Sequence, residues 1–235
     1  WPLTVDDAVY GHIYENTRYV SGYNRYFRYA MDIRRQKNPL LYLSRQEESY
    51  WAVARYLRTA GHSSRKLRVL EVGCGLGYFT YALASAGYDV SGIDLSSKAI
   101  AWARDNFGPY FATKSLQQLD AEGQRFDIIV MNQLIEHIAE VHPFLDGAIK
   151  VLADDGALLL TTPNKTSYAN AVWDTELPPV HLWWFGEDAM RSLANHHGCT
   201  VSFIDFTPFY RLHLRRKDPS LGLFSKRQVL DVRGN

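Results

Sequence analysis

The stretch Arg68-Val69-Leu70-Glu71-Val72-Gly73-Cys74-Gly75-Leu76-Gly77 decides the fold. Its first half is a short apolar run that reads as a buried strand and ends in the acid Glu71. Glycines then alternate from position 73 to position 77, where they let the backbone turn sharply and let a ligand touch the main chain. A second run, Tyr88-Asp89-Val90-Ser91-Gly92-Ile93, ends in Asp94, 21 residues after Gly73. A tight glycine turn with an acid about twenty residues on is the layout of an adenosine-type cofactor site in a doubly wound sheet.

Downstream the strand and helix patterns alternate. A helix runs from Gly77 to a stop at Gly87, followed by a strand over Asp89–Ile93. Ser96 caps a helix that buries Ala99, Ile100, Ala103 and Phe107. A short strand is expected near Tyr110–Ala112. Phe126–Met131 is an unbroken apolar run, as expected of a strand covered on both faces. A helix near His142–Leu152 leads through the turn Asp154-Asp155-Gly156 to a strand at Ala157–Thr162. Glu187–His197 reads as a helix ended by Gly198, feeding a strand over Thr200–Phe206. Gln228–Val232 is the candidate for a further, antiparallel strand. This order predicts an α/β fold, a Rossmann-like doubly wound and mainly parallel sheet with right-handed crossovers.

Upstream the chain is rich in aromatics. Tyr10, Tyr14, Tyr19, Tyr23, Tyr26, Phe27 and Ala30 recur at helical spacing. Asn38-Pro39 breaks the pattern. Ser44-Arg45-Gln46-Glu47 reads as a capping box for a helix with Tyr50, Val53, Ala54 and Leu57 on its apolar face and Gly61 as its stop. His62 to Lys66 reads as a linker. The expected organisation is an N-terminal helical cap over residues 1–65 and a sheet domain over residues 66–235, with an insertion near 164–186.

Bulk properties narrow the function. A net charge of +1 with 22% charged residues gives no general pull on polyanions. The two cysteines, Cys74 and Cys199, fit neither a metal spacing nor a disulfide framework, which agrees with a reducing, cytoplasmic setting. No run is apolar and long enough to span a bilayer, and no signal peptide is visible. The oligomeric state is not legible.

Two cofactor readings compete at the turn. A dinucleotide fingerprint needs a glycine at position 78, where Tyr78 stands. The pattern E-x-G-x-G-x-G over residues 71–77 resembles instead the first motif of class I S-adenosylmethionine (SAM) methyltransferases. Asn132-Gln133-Leu134-Ile135-Glu136-His137 resembles the E-x-L-E-H segment of ubiquinone-biosynthesis O-methyltransferases and their small-molecule relatives, with Gln133 in place of the first acid. Thr161-Thr162-Pro163-Asn164 matches the T-P-N of that family. The N/D/S-P-P-aromatic motif of enzymes that methylate amino groups of nucleic acids is missing.

The resemblance implies SAM as cofactor and assigns its contacts. Gly73, Cys74, Gly75 and Gly77 pack on the amino-acid part, and Glu71 reaches its amino group or anchors the turn. Asp94 takes both ribose hydroxyls, as one carboxylate can with its two oxygens, and Leu95 lies on the adenine. Ser115 and Leu116 face the adenine edge, and Asn132 and Gln133 line the methionine. The family pattern would allow a divalent cation at the acids and the histidine, but the loss of a carboxylate at Gln133 argues against a metal, and none is expected.

His181, in Pro178-Pro179-Val180-His181-Leu182, is the first candidate general base, and His137 is the second. Tyr14, Tyr23, Trp173, His181 and Trp184 are candidate substrate walls. Glu136 with His137 also reads as a hydrogen-bonding pair at a helix start, His181 as a loop brace, and the tyrosine stripe as core. His12, His62, His142, His196, His197 and His213 read as surface or structural.

The leading function is SAM-dependent methylation of a small molecule. An RNA methyltransferase would draw on Arg25, Arg28, Arg34, Arg35 and Lys37 beside tyrosines, and on Arg215-Arg216-Lys217; the near-neutral charge disfavours a nucleic-acid partner. A non-catalytic SAM-binding subunit would keep the cofactor turn without turnover. A nucleotide-dependent oxidoreductase would need the dinucleotide fingerprint that Tyr78 interrupts. The acceptor atom, whether oxygen, nitrogen or carbon, is not legible.

Overall fold

The computed structural model describes residues 16–20, 23–60, 66–166, 171–172, 180–214 and 230–231. Three helices come first: α1 (Asn24–Asp32), α2 (Pro39–Ser44) and α3 (Glu48–Ala60). The alternating region follows as β1 (Arg68–Val72), α4 (Tyr78–Ser85), β2 (Asp89–Asp94), α5 (Ser97–Phe107), β3 (Phe111–Thr113), α6 (Leu116–Ala121), β4 (Phe126–Asn132), a 3-10 turn (Ile135–His137), α7 (Val141–Val151) and β5 (Leu152–Thr161). Then come β6 (Ala171–Val172), α8 (Glu187–His196), α9 (Thr207–Leu214) and β7 (Leu230–Asp231). No helix among the described residues is long and apolar enough to cross a membrane.

Five parallel strands pair in the order β3-β2-β1-β4-β5. The order reverses between β1 and β4, and the carboxyl ends of all five share one edge. Strand side chains alternate between the faces. Val69, Val90, Ile128 and Val130 join Phe79, Leu83, Ile100 and Phe107 of α4 and α5 in one cluster. Leu70, Val72, Ile93, Ile129 and Met131 join Leu116, Leu119, Ala148 and Val151 of α6 and α7 in another. The sheet is thus covered on both faces, which explains the unbroken burial of β4.

The N-terminal helices enter the first of these clusters. Ile33, Leu43 and Leu57 are fully buried there, beside Tyr29 and Tyr50. Each such aliphatic side chain contributes about 1.5–3 kcal/mol by burial. The Tyr50 and Tyr78 hydroxyls bond each other at 2.6 Å, joining α3 to α4. Of the aromatic stripe, Ala30 is buried and Tyr26 and Phe27 pack against this cluster, whereas Tyr19 is 78% exposed. The helices share one core with the sheet.

The chain departs from the sequence expectations at five places. Ser44 ends α2 and donates to the Leu40 carbonyl, so it caps nothing. Its expected partner Glu47 accepts instead from Arg25 Nε at 2.8 Å and from the Tyr29 hydroxyl at 3.0 Å. Tertiary partners thus take the carboxylate from the local motif. Strand β3 lies one residue later than expected. The Asp154-Asp155-Gly156 turn is an interruption inside β5: Phe126 pairs with Leu152 and Ile128 already pairs with Ala157. Residues 200–206 form no strand. Val201, Phe203 and Ile204 are exposed there, and a β-rich sequence gains little without a ladder and a face to bury. Leu230–Asp231 pairs antiparallel with Ala171–Val172 in a separate ribbon and does not extend the main sheet. Gly61 and residues 62–65 of the expected linker lie outside the described residues.

Candidate functional site

The carboxyl edge of the sheet brings the turn after β1, the end of β2 and the loops after β3, β4 and β5 together, where open α/β sheets bind ligands. The glycine turn is held from below. The amides of Gly73 and Cys74 both donate to the Ile93 carbonyl, at 2.9 and 3.0 Å. Gly73 and Gly77 have φ of 73° and 74°, in the left-handed region that favours glycine. A Cβ at Gly77 would lie 2.5 Å from a ring carbon of Phe111 and 2.8 Å from Cβ of Ala103. That glycine lets the turn sit directly on α5 and β3.

Two acids flank the turn. Glu71 is buried and accepts from the Thr80 hydroxyl of α4. Burial pushes its carboxyl up to about 8, against the opposing pull of its hydrogen bonds from Thr80, and the nearby Asp94 adds to the rise. Asp94 is also buried. One of its oxygens accepts the Gly75 amide at 2.9 Å and the other accepts the Ser96 amide at 2.8 Å. A carboxylate oxygen can accept more than one hydrogen bond. Leu95 beside it is 76% exposed, an apolar face presented at the sheet edge. The Cys74 thiol is buried and burial raises its pKa well above the ordinary thiol value, so it is a packing group and no nucleophile.

Ser115 and Leu116 start α6. The Ser115 hydroxyl accepts the Gln118 amide at 3.3 Å, and the Gln118 side chain accepts the Ser115 amide at 2.8 Å. This capping box engages the oxygen that was expected at the adenine edge. The Leu116 side chain is core, while its backbone amide is one of the first-turn donors that a helix leaves without an intrahelical partner.

The loop after β4 is tied to the end of β5. The Thr161 hydroxyl donates to the Asn132 side chain at 2.7 Å, and the Gln133 amide donates to the Thr161 carbonyl at 3.0 Å. Gln133 has φ of 53°, alone among the described non-glycine residues in that region. A non-glycine residue held there costs about 1–3 kcal/mol and marks positions the surrounding structure over-determines.

The expected base pair meets beyond this loop. Glu136 is fully buried in the 3-10 turn, and its carbonyl accepts the amides of Leu182 and Trp183 at 2.8 and 3.2 Å. The Trp183 indole donates to the Ile138 carbonyl at 2.8 Å. These bonds pin the His181 segment over the β4 loop. His137 Nδ1 lies 2.7 Å from the Val180 carbonyl, and its ring meets His181 edge to face with centroids 4.7 Å apart. Burial lowers the pKa of His137. Burial first, then His137 and Lys165, holds His181 down to about 3. Its Nδ1 is buried without a hydrogen-bond partner among the described residues. Both rings are therefore neutral near pH 7. One carboxylate oxygen of Glu136 and one nitrogen from each ring lie within 4.8 Å of one another, a donor set with the N and O ligands that divalent ions accept. The pair at Glu136 and His137 is not an α-helix start, since α7 begins only at Val141.

The candidate substrate walls divide. Tyr23 of the N-terminal segment is half-buried, and burial together with the Glu136 charge pushes its phenol up to about 12. Trp184, three residues after His181, is exposed. Tyr14 and Trp173 lie outside the described residues, as do His12 and His62. Arg25, one of the cations that would draw RNA, is turned to Glu47 and lies 4.4 Å over the Tyr26 ring. Sequence reasoning passed over Thr80 and gave Thr161 no role, although each holds a predicted residue. Thr80 carries a readable signal: it falls in the first turn of the helix that the glycine turn opens.

Similarities to known proteins agree with this geometry. A family model described as a methyltransferase domain matches residues 43–202. The ubiquinone biosynthesis O-methyltransferase of Bartonella tribocorum is 31% identical over 105 residues, 43% of this chain and 42% of that protein. The mitochondrial ubiquinone biosynthesis O-methyltransferase of Bos taurus is 29% identical over 157 residues, 59% of this chain and 42% of that protein. The chain spans less than half the length of these two relatives. Magnesium protoporphyrin IX methyltransferase from Synechocystis PCC 6803 with bound SAH shares the fold, with a TM-score of 0.55 at 19% identity over 84% of this chain and 91% of that one. The plantazolicin methyltransferase in complex with SAH shares it with a TM-score of 0.54 at 14% identity over 88% and 90%. The family match extends over well more than half of the sequence, and the chain belongs to the methyltransferase-domain family.

Proposed function

We propose that this protein is a SAM-dependent methyltransferase acting on a small molecule in the cytoplasm. The observation that carries the reading is the pairing of the left-handed glycine turn after β1 with the buried Asp94 carboxylate at the end of the neighbouring strand β2. Gly73 to Gly77 and Glu71 would hold the amino-acid end of the cofactor, Asp94 the ribose, and Leu95 with the Leu116 amide the adenine. The exposed leucine and the acceptor oxygens of Asp94 fit such a ligand. The cofactor supplies a methyl group on a sulfonium with a good leaving group. The protein's part is then alignment, worth up to roughly 7–11 kcal/mol when the acceptor is held in line.

His181 is the group we assign to the acceptor. A neutral imidazole with an unpartnered buried nitrogen can accept an acceptor's proton, and the depressed value makes it a weak base, suited to an acidic hydroxyl or carbon. His137 positions it, and Tyr23 and Trp184 would flank the acceptor. The N-terminal helices would then serve as a wall of the site as well as part of the core. The names of the relatives, ubiquinone biosynthesis O-methyltransferases, support a small organic acceptor, and two proteins that share the fold are named as methyltransferases of magnesium protoporphyrin IX and of plantazolicin. The pairing of Arg25 with Glu47 and the near-neutral charge disfavour RNA. Both described cysteines are free, in keeping with the cytoplasm. The test is calorimetric titration with SAM, then transfer of a labelled methyl group into fractionated metabolite pools. Absence of SAM binding would remove the reading; SAM binding with transfer only to RNA would redirect it.

A further inference from the structure

Three histidines read as unconnected in the sequence meet on the surface. His142 is the second residue of α7, and Asp146 lies one helical turn further along the same face. His196 ends α8 and His197 follows it as the C-cap, before Gly198 turns the chain with φ of 66°. His142 Nδ1 faces His197 Nε2 at 3.1 Å. The ring of His196 lies 4.4 Å from that of His142 and 5.0 Å from that of His197, between centroids. One nitrogen from each of the three lies within 4.8 Å of the others.

We propose that His142, His196 and His197 bind a divalent transition-metal ion of the zinc class, with Asp146 orienting His197 from behind. The outer partner is the informative part. Asp146 Oδ1 is 2.9 Å from His197 Nδ1, so the carboxylate holds the proton on Nδ1. The lone pair of Nε2 then points at His142. A carboxylate behind a ligating imidazole is the usual arrangement around protein-bound zinc. Nitrogens bound to tetrahedral zinc at about 2.0–2.1 Å stand about 3.3–3.4 Å from one another. His142 and His197 are already near that spacing, and His196 needs only a side-chain adjustment on an exposed helix end. Without the ion, His142 Nδ1–H donates to His197 Nε2. With it, His142 carries its proton on Nε2 and both facing nitrogens offer lone pairs. Three neutral imidazoles suit zinc, nickel or copper, and suit calcium or magnesium poorly.

The position gives the ion a task. Helix α8 has no fully buried residue among those described and is held by the half-buried Met190 and Leu193, which pack against Phe185, Val141 and Leu145. The same helix follows directly on the His181–Phe185 segment. A metal joining the start of α7 to the end of α8 fastens the far end of that helix. The site is distinct from the group at Glu136, His137 and His181, with which it shares no residue.

The test uses the full chain without a histidine tag, titrated with zinc sulfate by calorimetry and with cobalt(II) by absorption. Expected are a zinc equivalent and a tetrahedral cobalt spectrum that both disappear in His142→Ala and in His197→Ala. Asp146→Asn should weaken zinc roughly tenfold or more. Zinc should raise the thermal midpoint of the wild type and leave that of His142→Ala unmoved. The proposal is overturned if the wild type takes up no zinc, or if zinc stoichiometry and affinity survive in the His142→Ala/His197→Ala double variant. A lower midpoint in His142→Ala with no zinc response in the wild type would show that the histidines only hydrogen-bond the two helices together. Because the readouts are metal binding and stability, the result is independent of the methyl acceptor.

Discussion

The carboxylate of Asp94 accepts the backbone amide of Gly75 at 2.9 Å, so the end of the second strand grips the turn that follows the first. One acid thereby shapes the turn and stands where a ribose would lie. Asp94→Ala removes both contributions, and SAM affinity should fall at least tenfold, about 1.4 kcal/mol. Calorimetry measures this directly. An unchanged dissociation constant would take Asp94 out of the cofactor site.

Gly77 makes the other contact that sets the turn. Alanine there meets a left-handed φ of 74° and a Cβ position 2.5 Å from Phe111. Phe111 is itself buried in the core, so relief requires a shift of β3 or α5. Gly77→Ala should cost about 1–3 kcal/mol. A urea midpoint equal to that of the wild type would show that the turn relaxes freely.

What was legible in the sequence is what short-range signals encode. The glycine spacing at 73–77, the acid at 94, the Ser96 cap and the apolar run of β4 each declare themselves within a few residues, and each stands where the pattern put it. The failures have one physical form. Glu47 looked like half of a capping box because its real partners, Arg25 and Tyr29, come from another helix. Val201, Phe203 and Ile204 looked like a strand, but a strand needs a neighbour, which no local pattern specifies. His137 and His181 were each singled out, yet their edge-to-face contact exists only because the Glu136 carbonyl holds Leu182 and Trp183. His142 and His197 read as surface residues in the sequence, and the 55 residues between them leave their contact without a local signal.

Glu71 makes stability depend on pH in an unusual direction. Its folded value near 8 lies above the ordinary 4.5. Between those values the folded state keeps a proton that the unfolded chain has lost. The contribution is complete below pH 4.5 and is lost as pH rises through 8, with a slope of up to about 1.4 kcal/mol per pH unit. Glu71→Gln cannot titrate. The stability difference between wild type and this variant, from urea melts at several pH values, should therefore move against the wild type as pH rises. A difference that stays constant between pH 5 and pH 8 would mean that Glu71 is ionised throughout.

His181 has the opposite sign. Its folded value near 3 lies below the ordinary 6.5. The unfolded chain binds the proton first, so the stability that His181 contributes is full above pH 6.5 and is lost as pH falls toward 3. His181→Gln should remove that acid sensitivity. The same shift governs catalysis. A base that is neutral down to low pH produces no break in kcat/KM at 6.5, so the acid limb of the rate profile should not report an ordinary histidine. For an acceptor that must lose a proton, His181→Gln should lower kcat by about 10²–10⁴ while SAM affinity stays unchanged, since the residue is assigned to the acceptor side. His137→Gln should lower kcat less and shift the pH dependence, because His137 acts through its neighbour. Undiminished turnover in His181→Gln, or an acid limb at 6.5 that survives in it, would return His181 to the role of a loop brace between Glu136 and Phe185.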